Sequence, residues 1–166
     1  MITKEMKNAA EKAVESLKAL GLTVGCAESC TGGLLAGTIT SVSGASSVFE
    51  CGIVSYSERI KSELLGMTRE FINEYGVVSQ EVSLKMAQGV IKLSGCDVGI
   101  GITGIAGPAG GTDEQPVGTV YVSVVYKNKE ITKNLKLYEK GNFDRDTNRL
   151  LTVSYALKSI VDILKG

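Results

Sequence analysis

The sequence has 166 residues, the length of one domain able to bury a full hydrophobic core. It carries 18 basic and 18 acidic residues and neither histidine nor tryptophan. Without imidazole, Ser-His-Asp and Cys-His catalysis, histidine-bearing zinc sites and histidine pH switches are excluded. Any general base must come from Lys, Asp, Glu, Tyr or Cys. The zero net charge gives no electrostatic case for nucleic acid or an anionic membrane.

The pattern of apolar residues alternates between helix and strand. Met6, Ala9, Ala10, Ala13, Val14, Leu17 and Leu20 recur at helical spacing, and Gly21 supplies a stop. This N-terminal stretch is charged and lacks the apolar block of a signal peptide, and no apolar run reaches ~20 residues. A cytoplasmic location is expected, with Cys26, Cys30, Cys51 and Cys96 reduced. Their spacing contains no C-x-x-C pair.

Residues 22–27 read as a strand, followed by a helix starting near Cys30. A second strand is expected at 52–56. Ser57 can then cap a short helix that ends at Gly66, and another short helix spans 68–75. Ser79 is a candidate cap for a helix to about Leu93. Residues 97–103 form an apolar strand, 104–118 a long loop, and 119–126 with 130–137 a hairpin. A final amphipathic helix covers 144–164. This order predicts a single-domain α/β protein over 1–166. Its expected form is a three-layer α/β/α sandwich with a mixed, mostly parallel sheet.

Two motif matches lead nowhere. Gly99-Ile100-Gly101-Ile102-Thr103-Gly104 fits G-x-G-x-x-G, but it lies within a strand and runs into a loop, not a helix. Ser29 lacks the flanking glycines of a nucleophile elbow.

Three segments carry chemical potential. Ala27-Glu28-Ser29-Cys30-Thr31-Gly32-Gly33 lies at a strand-to-helix turn. Free amides at a helix start can hold a phosphate or an oxyanion there. A plain helix cap with packing glycines is the alternative. Tyr56 and Lys61, at the end of the second strand, can reach the crevice beyond the strand ends; a half-buried aromatic and a solvated lysine are the alternative. The loop 104–118 holds both prolines and has the length of a shaped binding loop.

In this order the segments TVGCAESCTGG (23–33), GASSVFECGIVSYSERIKSELLG (44–66), GVVSQEV (76–82) and GITGIAGPAGGTDEQPVGTVY (101–121) resemble one family over essentially the whole chain. It is the family of CinA C-terminal domains and their stand-alone form, nicotinamide-nucleotide amidohydrolase. The second domain of full-length members is not expected, because Met1 opens the first helix of this one.

The resemblance implies hydrolysis of the carboxamide of nicotinamide mononucleotide to nicotinate mononucleotide and ammonia. It also implies no metal or organic cofactor, a small-molecule nucleotide substrate and a homo-oligomer; from charge and hydropathy, no nucleic-acid or membrane partner is expected. Carried over by position, Ser29 is the nucleophile, accompanied by Tyr56 and Lys61. Thr103, Gly104 and Gly107 fall in the substrate loop. Cys30, Thr31, Gly32 and Gly33 surround the nucleophile as substrate-binding positions. Near the C-terminus the family often reads Gly-Asp-Arg; here Asn142-Phe143 separates Gly141 from Asp144-Arg145. Arg145 and Arg149, one turn apart, are candidates for a phosphate; the loop amides of 104–111 are equal candidates, and two arginines on a solvated helix face are the alternative.

A Ser-Lys mechanism needs a neutral lysine, whereas a free one is almost wholly protonated at pH 7. Lys61 is therefore expected to be buried, with Glu58 and Glu63 turned away. Tyr56 would relay a proton or orient the lysine. The amides near Thr31 and Gly32 would hold the oxyanion. Cys30 is the rival nucleophile. A non-catalytic nucleotide- or protein-binding module, and an amidohydrolase of another nucleotide-like amide, are the other readings.

Overall fold

The computed structural model describes residues 2–165. Helix α1 (Lys4–Leu20) is capped by the Thr3 hydroxyl and stops at Gly21, which takes the left-handed conformation the sequence anticipates. Strand β1 (Val24–Glu28) is fully buried. Helix α2 (Leu34–Thr40) and strand β2 (Phe49–Val54) follow, and the Ser57 hydroxyl caps α3 (Glu58–Leu65). Helices α4 (Arg69–Tyr75) and α5 (Gln80–Ser94) are capped by Thr68 and Ser79. Strand β3 (Val98–Gly104), the hairpin strands β4 (Val120–Tyr126) and β5 (Lys129–Asn134), and helix α6 (Arg145–Lys165) complete the chain.

The five strands lie in the order β2-β1-β3-β4-β5. Strand β1 pairs in parallel with β2 and β3, while the β3–β4 and β4–β5 pairings are antiparallel. The sheet is therefore mixed, and β4 alone runs against the other four strands. Strand alternation divides its faces. Val24, Cys26, Ile100, Ile102, Val122 and Val124 pack with α1, α2 and α6 in the larger core. Ala27 packs with Leu65, Ile72, Val82, Met86 and Val90 of α3–α5 in the smaller one. The result is the expected α/β/α sandwich.

The discarded G-x-G-x-x-G match has a packing explanation. A Cβ at Gly101 would overlap the Ser83 carbonyl and come 2.6 Å from the Ala87 amide; one at Gly99 would overlap the Ala87 carbonyl. These glycines let α5 lie directly on the central strand, close enough for Ser83 Oγ to hydrogen-bond Ser123 Oγ at 2.7 Å.

One expectation is corrected. The helix after β1 begins at Leu34, not near Cys30. Gly32 and Gly33 have φ of 60° and 88°, left-handed values that break a helix and turn 29–33 into a loop.

Chain reversal about β1 fixes the position of the site. From β1 the chain crosses one face through α2 to β2, then returns over the other face through α3–α5 to β3 on the opposite side of β1. A crevice opens beyond the carboxyl ends of β1 and β3, at the point where the strand order reverses.

Gly101→Ala should destabilise the fold by about 1–3 kcal/mol, because the added methyl meets backbone that cannot yield. Gly37→Ala should stabilise it by up to about 1 kcal/mol, since a Cβ there meets nothing within 4 Å on a helix. Urea unfolding midpoints of the two variants check this pair.

Candidate active site

A cleft of about 250 Å³ occupies the crevice. Ser29, Cys30, Tyr56, Lys61, Thr103, Gly104, Gly107 and Arg145 all line it, from four separate stretches of chain. Val77, Val78, Ile105, Ala106 and Ala109 supply its apolar wall. A larger groove of about 350 Å³ beside α1 and α6 is lined in part by Met6, Leu151, Tyr155, Ser154 and Lys158, but this lysine is exposed and ion-paired with Glu5 at 2.8 Å.

Lys61 lies on the inward stripe of α3 together with Leu65 and is fully buried, at 0% exposure. Its Nζ lies 3.2 Å from Ser29 Oγ and donates to the Ser55 carbonyl at 2.6 Å. Among the described residues no carboxylate forms an ion pair with it; Glu63 is engaged by Arg59 at 2.6 Å. Burial holds the Lys61 amine below its ordinary value of 10.5, and the opposing influence of Cys30 and Glu58 is smaller. The expected burial of this lysine is present.

The serine turn is tied from several directions. The Ser29 amide donates to the Ile102 carbonyl at 3.0 Å, and Arg149 donates to the Thr31 carbonyl at 2.9 Å. Glu28, 1% exposed, accepts from the amides of Gly33, Leu35 and Ala36 at 2.9–3.1 Å. The start of α2 is thus closed by an internal carboxylate and cannot receive a ligand.

This arrangement corrects several expectations. Thr31, Gly32 and Gly33 do not line the cleft: Thr31 is fully buried, the Gly32 amide is spent on the Ser29 carbonyl, and the Gly33 amide on Glu28. The Gly32 and Gly33 amides are therefore not available for an oxyanion. Cys30 does line the cleft, but burial pushes its thiol up to about 12, so it stays protonated near neutral pH and is a poor nucleophile.

Tyr56 is also placed differently. It is 62% exposed, and its hydroxyl accepts from Arg145 at 3.1 Å instead of bridging Ser29 and Lys61. Arg145 donates as well to the Gly107 carbonyl at 2.6 Å, joining the rim of the cleft to the substrate loop. Two of its five N–H donors are used in these bonds, which leaves three for an anion. Arg149 is committed to the serine turn and to Asp146, and it does not line the cleft.

The loop from 105 to 119 is shaped by its own bonds. Ile105 and Gly118 amides donate to the Thr119 and Ile105 carbonyls, both at 2.8 Å. Gln115 reaches across to the Val78 carbonyl at 3.0 Å, and Thr103 Oγ1 donates to the Val77 carbonyl at 2.7 Å. The Thr103 hydroxyl proton is thus used to brace the Val77 wall of the cleft. Sequence reasoning missed Glu28, the Ser55 carbonyl, Val77-Val78 and Gln115. Of these, only Glu28 had a signal, a carboxylate directly before a glycine-rich turn.

Among the described residues, no cluster of three His, Cys, Asp or Glu side chains could hold a metal ion, and no helix is long and apolar enough to cross a membrane.

Comparison with known proteins shows the family. The CinA C-terminal domain family matches residues 6–164. A CinA-like protein of Kosmotoga olearia is 40% identical over 93% of this chain and 37% of its own length. The chain thus spans little more than a third of the longer relatives it matches. The nicotinamide-nucleotide amidohydrolase PncC of Enterobacter agglomerans is 42% identical over 87% of this chain and 86% of its own length. The crystal structure of the competence/damage inducible protein CihA from Agrobacterium tumefaciens superposes with a TM-score of 0.93 at 34% identity, covering 100% of this chain and 99% of that one. The fold, the serine turn and these matches together place the chain in the CinA C-terminal domain family.

Proposed function

We propose that the chain is an amidohydrolase that deamidates nicotinamide mononucleotide through a Ser29–Lys61 pair. The observation that carries this reading is the buried Lys61 amine 3.2 Å from Ser29 Oγ, with no carboxylate paired to it among the described residues. Its similarity to a protein named nicotinamide-nucleotide amidohydrolase supports the choice of substrate.

In the neutral state Lys61 keeps an N–H on the Ser55 carbonyl and presents its lone pair to the Ser29 hydroxyl. Oγ attacks the carboxamide carbon as its proton passes to Nζ. The Cys30 amide follows the nucleophile directly and donates to no other described residue, so it is the proposed donor to the oxyanion. Collapse of the tetrahedral adduct expels the amide nitrogen, which takes the proton from Lys61 and leaves as ammonia. Water, deprotonated by the same lysine, then releases the acid from Ser29. The apolar wall of Val77, Val78 and Ile105 receives the aromatic ring, and the free N–H groups of Arg145 receive the phosphate. Tyr56 holds Arg145 in place and takes no part in the proton transfer.

Ser29→Ala and Lys61→Met should each abolish ammonia release from nicotinamide mononucleotide, lowering it by about 10³-fold or more. Ammonia release at wild-type rate from Ser29→Ala overturns the covalent route. Lys61→Met should also raise Tm, because it removes an amine whose charged form is disfavoured by burial.

The pH dependence follows from the direction of the Lys61 shift. A base held below 10.5 is protonated and inactive at low pH, so kcat/KM should rise through a single group titrating below 10.5 and then level off. In stability terms, the unfolded chain binds more protons than the folded one between the two lysine values, so this lysine's contribution rises with pH across that window. Steady-state rates from pH 5 to 10 check the kinetic arm.

Tyr56→Phe should raise KM severalfold and keep kcat within about twofold, while Arg145→Glu should raise KM by more than tenfold. A large fall in kcat for Tyr56→Phe would return the tyrosine to the proton relay.

A further inference from the structure

Glu28 is a buried carboxylate that the mechanism above does not use. It ends β1 immediately before Ser29, on the face of the sheet covered by α2. Its Oε2 accepts from the Gly33 and Leu35 amides at 3.1 and 3.0 Å. Its Oε1 accepts from the Ala36 amide at 2.9 Å and faces Cys26 Sγ at 3.6 Å. Helix α2 has no other side-chain cap, since Gly33 occupies the capping position. One side chain therefore satisfies three amides at the start of the helix.

We propose that Glu28 is a positioning residue for the Ser29–Lys61 pair, fixing the turn that carries the nucleophile and closes over the base; this role rests on the proposed function. The five residues 29–33 contain two glycines at positive φ, a turn with little stiffness of its own. Both of its ends are held by Glu28, which is covalently joined to Ser29 at one end and bonded to Gly33 at the other. Between them the turn places Ser29 Oγ on Lys61 and lays Cys30 against the cleft. Loosening the turn admits water to Lys61 and lengthens its contact with Ser29.

Gln is nearly the same shape but has one acceptor oxygen, and its NH₂ would face amides that also donate. The groups acting on Lys61 are the Cys30 thiol and the Glu58 carboxylate, with Tyr56 and Arg145 on the same cleft. Glu28 also acts on the Cys30 thiol, and the loss of its negative charge favours the neutral amine, so an upward shift in the titration of the base is opposite to the charge effect and reports the turn.

The test is the rate at which Ser29 is phosphonylated by a fluorophosphonate, its Oγ displacing fluoride from phosphorus, read by intact mass and peptide mapping from pH 6 to 10. This probe requires no nucleotide. In Glu28→Gln the rate at pH 7 should fall about tenfold. The midpoint of its pH dependence should move up by about one unit, toward an ordinary lysine. Thr38→Val removes a buried hydroxyl bonded to the Leu34 carbonyl of the same helix. It should lower Tm while leaving both rate and midpoint at wild-type values. Should Glu28→Gln not fold, Glu28→Asp, one methylene short of the amides, should give the same upward shift.

A Glu28→Gln chain that labels at the wild-type rate and midpoint overturns the positioning role alone. A slower rate with an unmoved midpoint also overturns it, because a misfolded fraction produces that pattern. Wild-type chain that never labels at Ser29 overturns the nucleophile and this role together.

Discussion

A lysine amine buried without a carboxylate partner among the described residues is the constraint on which the site depends. An ammonium in that position loses its water and receives, among the described residues, only the Ser55 carbonyl and the Ser29 hydroxyl in exchange. This is unfavourable for the charged form and favourable for the neutral one. In a chain without histidine, burial is the available way to supply a base near neutral pH. The fold pays for it by placing a lysine where α3 would otherwise present an apolar residue next to Leu65.

The rest of the architecture keeps that amine dry and the serine in register with it. The reversal of strand order about β1 opens the crevice, and glycines at 99 and 101 bring α5 onto the sheet. Two arginines on the first turns of α6 then act as staples. Arg149 fastens the serine turn through Thr31, and Arg145 links Tyr56 to the Gly107 carbonyl. The chain thus commits to internal bonds much of the polar capacity that a motif-based reading would assign to substrate. The start of α2 shows the same thing, because its amides belong to Glu28.

Much of the fold was legible because capping and periodicity are local. Thr3, Ser57, Thr68 and Ser79 all cap the helices they precede, and Gly21 and Gly66 end helices in left-handed conformations. The start of α2 was misread because a glycine pair can either pack a helix or break one, and only the dihedral angles of Gly32 and Gly33 decide. Ser29, Lys61 and Tyr56 could be named in the sequence, and they do line one cleft. Which hydroxyl meets which cation could not be read there. That Tyr56 faces Arg145, 89 residues away, is a property of tertiary packing. The Ser55 carbonyl is a backbone group, available in any sequence, and so carried no signal at all.

The most direct measurement is a titration of the Lys61 side chain itself, by NMR of the ¹³C-labelled ε-methylene in the folded protein, with Lys61→Met used to assign the signal. A Lys61 that loses its proton below 10.5 is the expected result. A Lys61 that titrates at 10.5 or above would show an ammonium throughout the working range of pH, and would contradict its assignment as the base that activates Ser29.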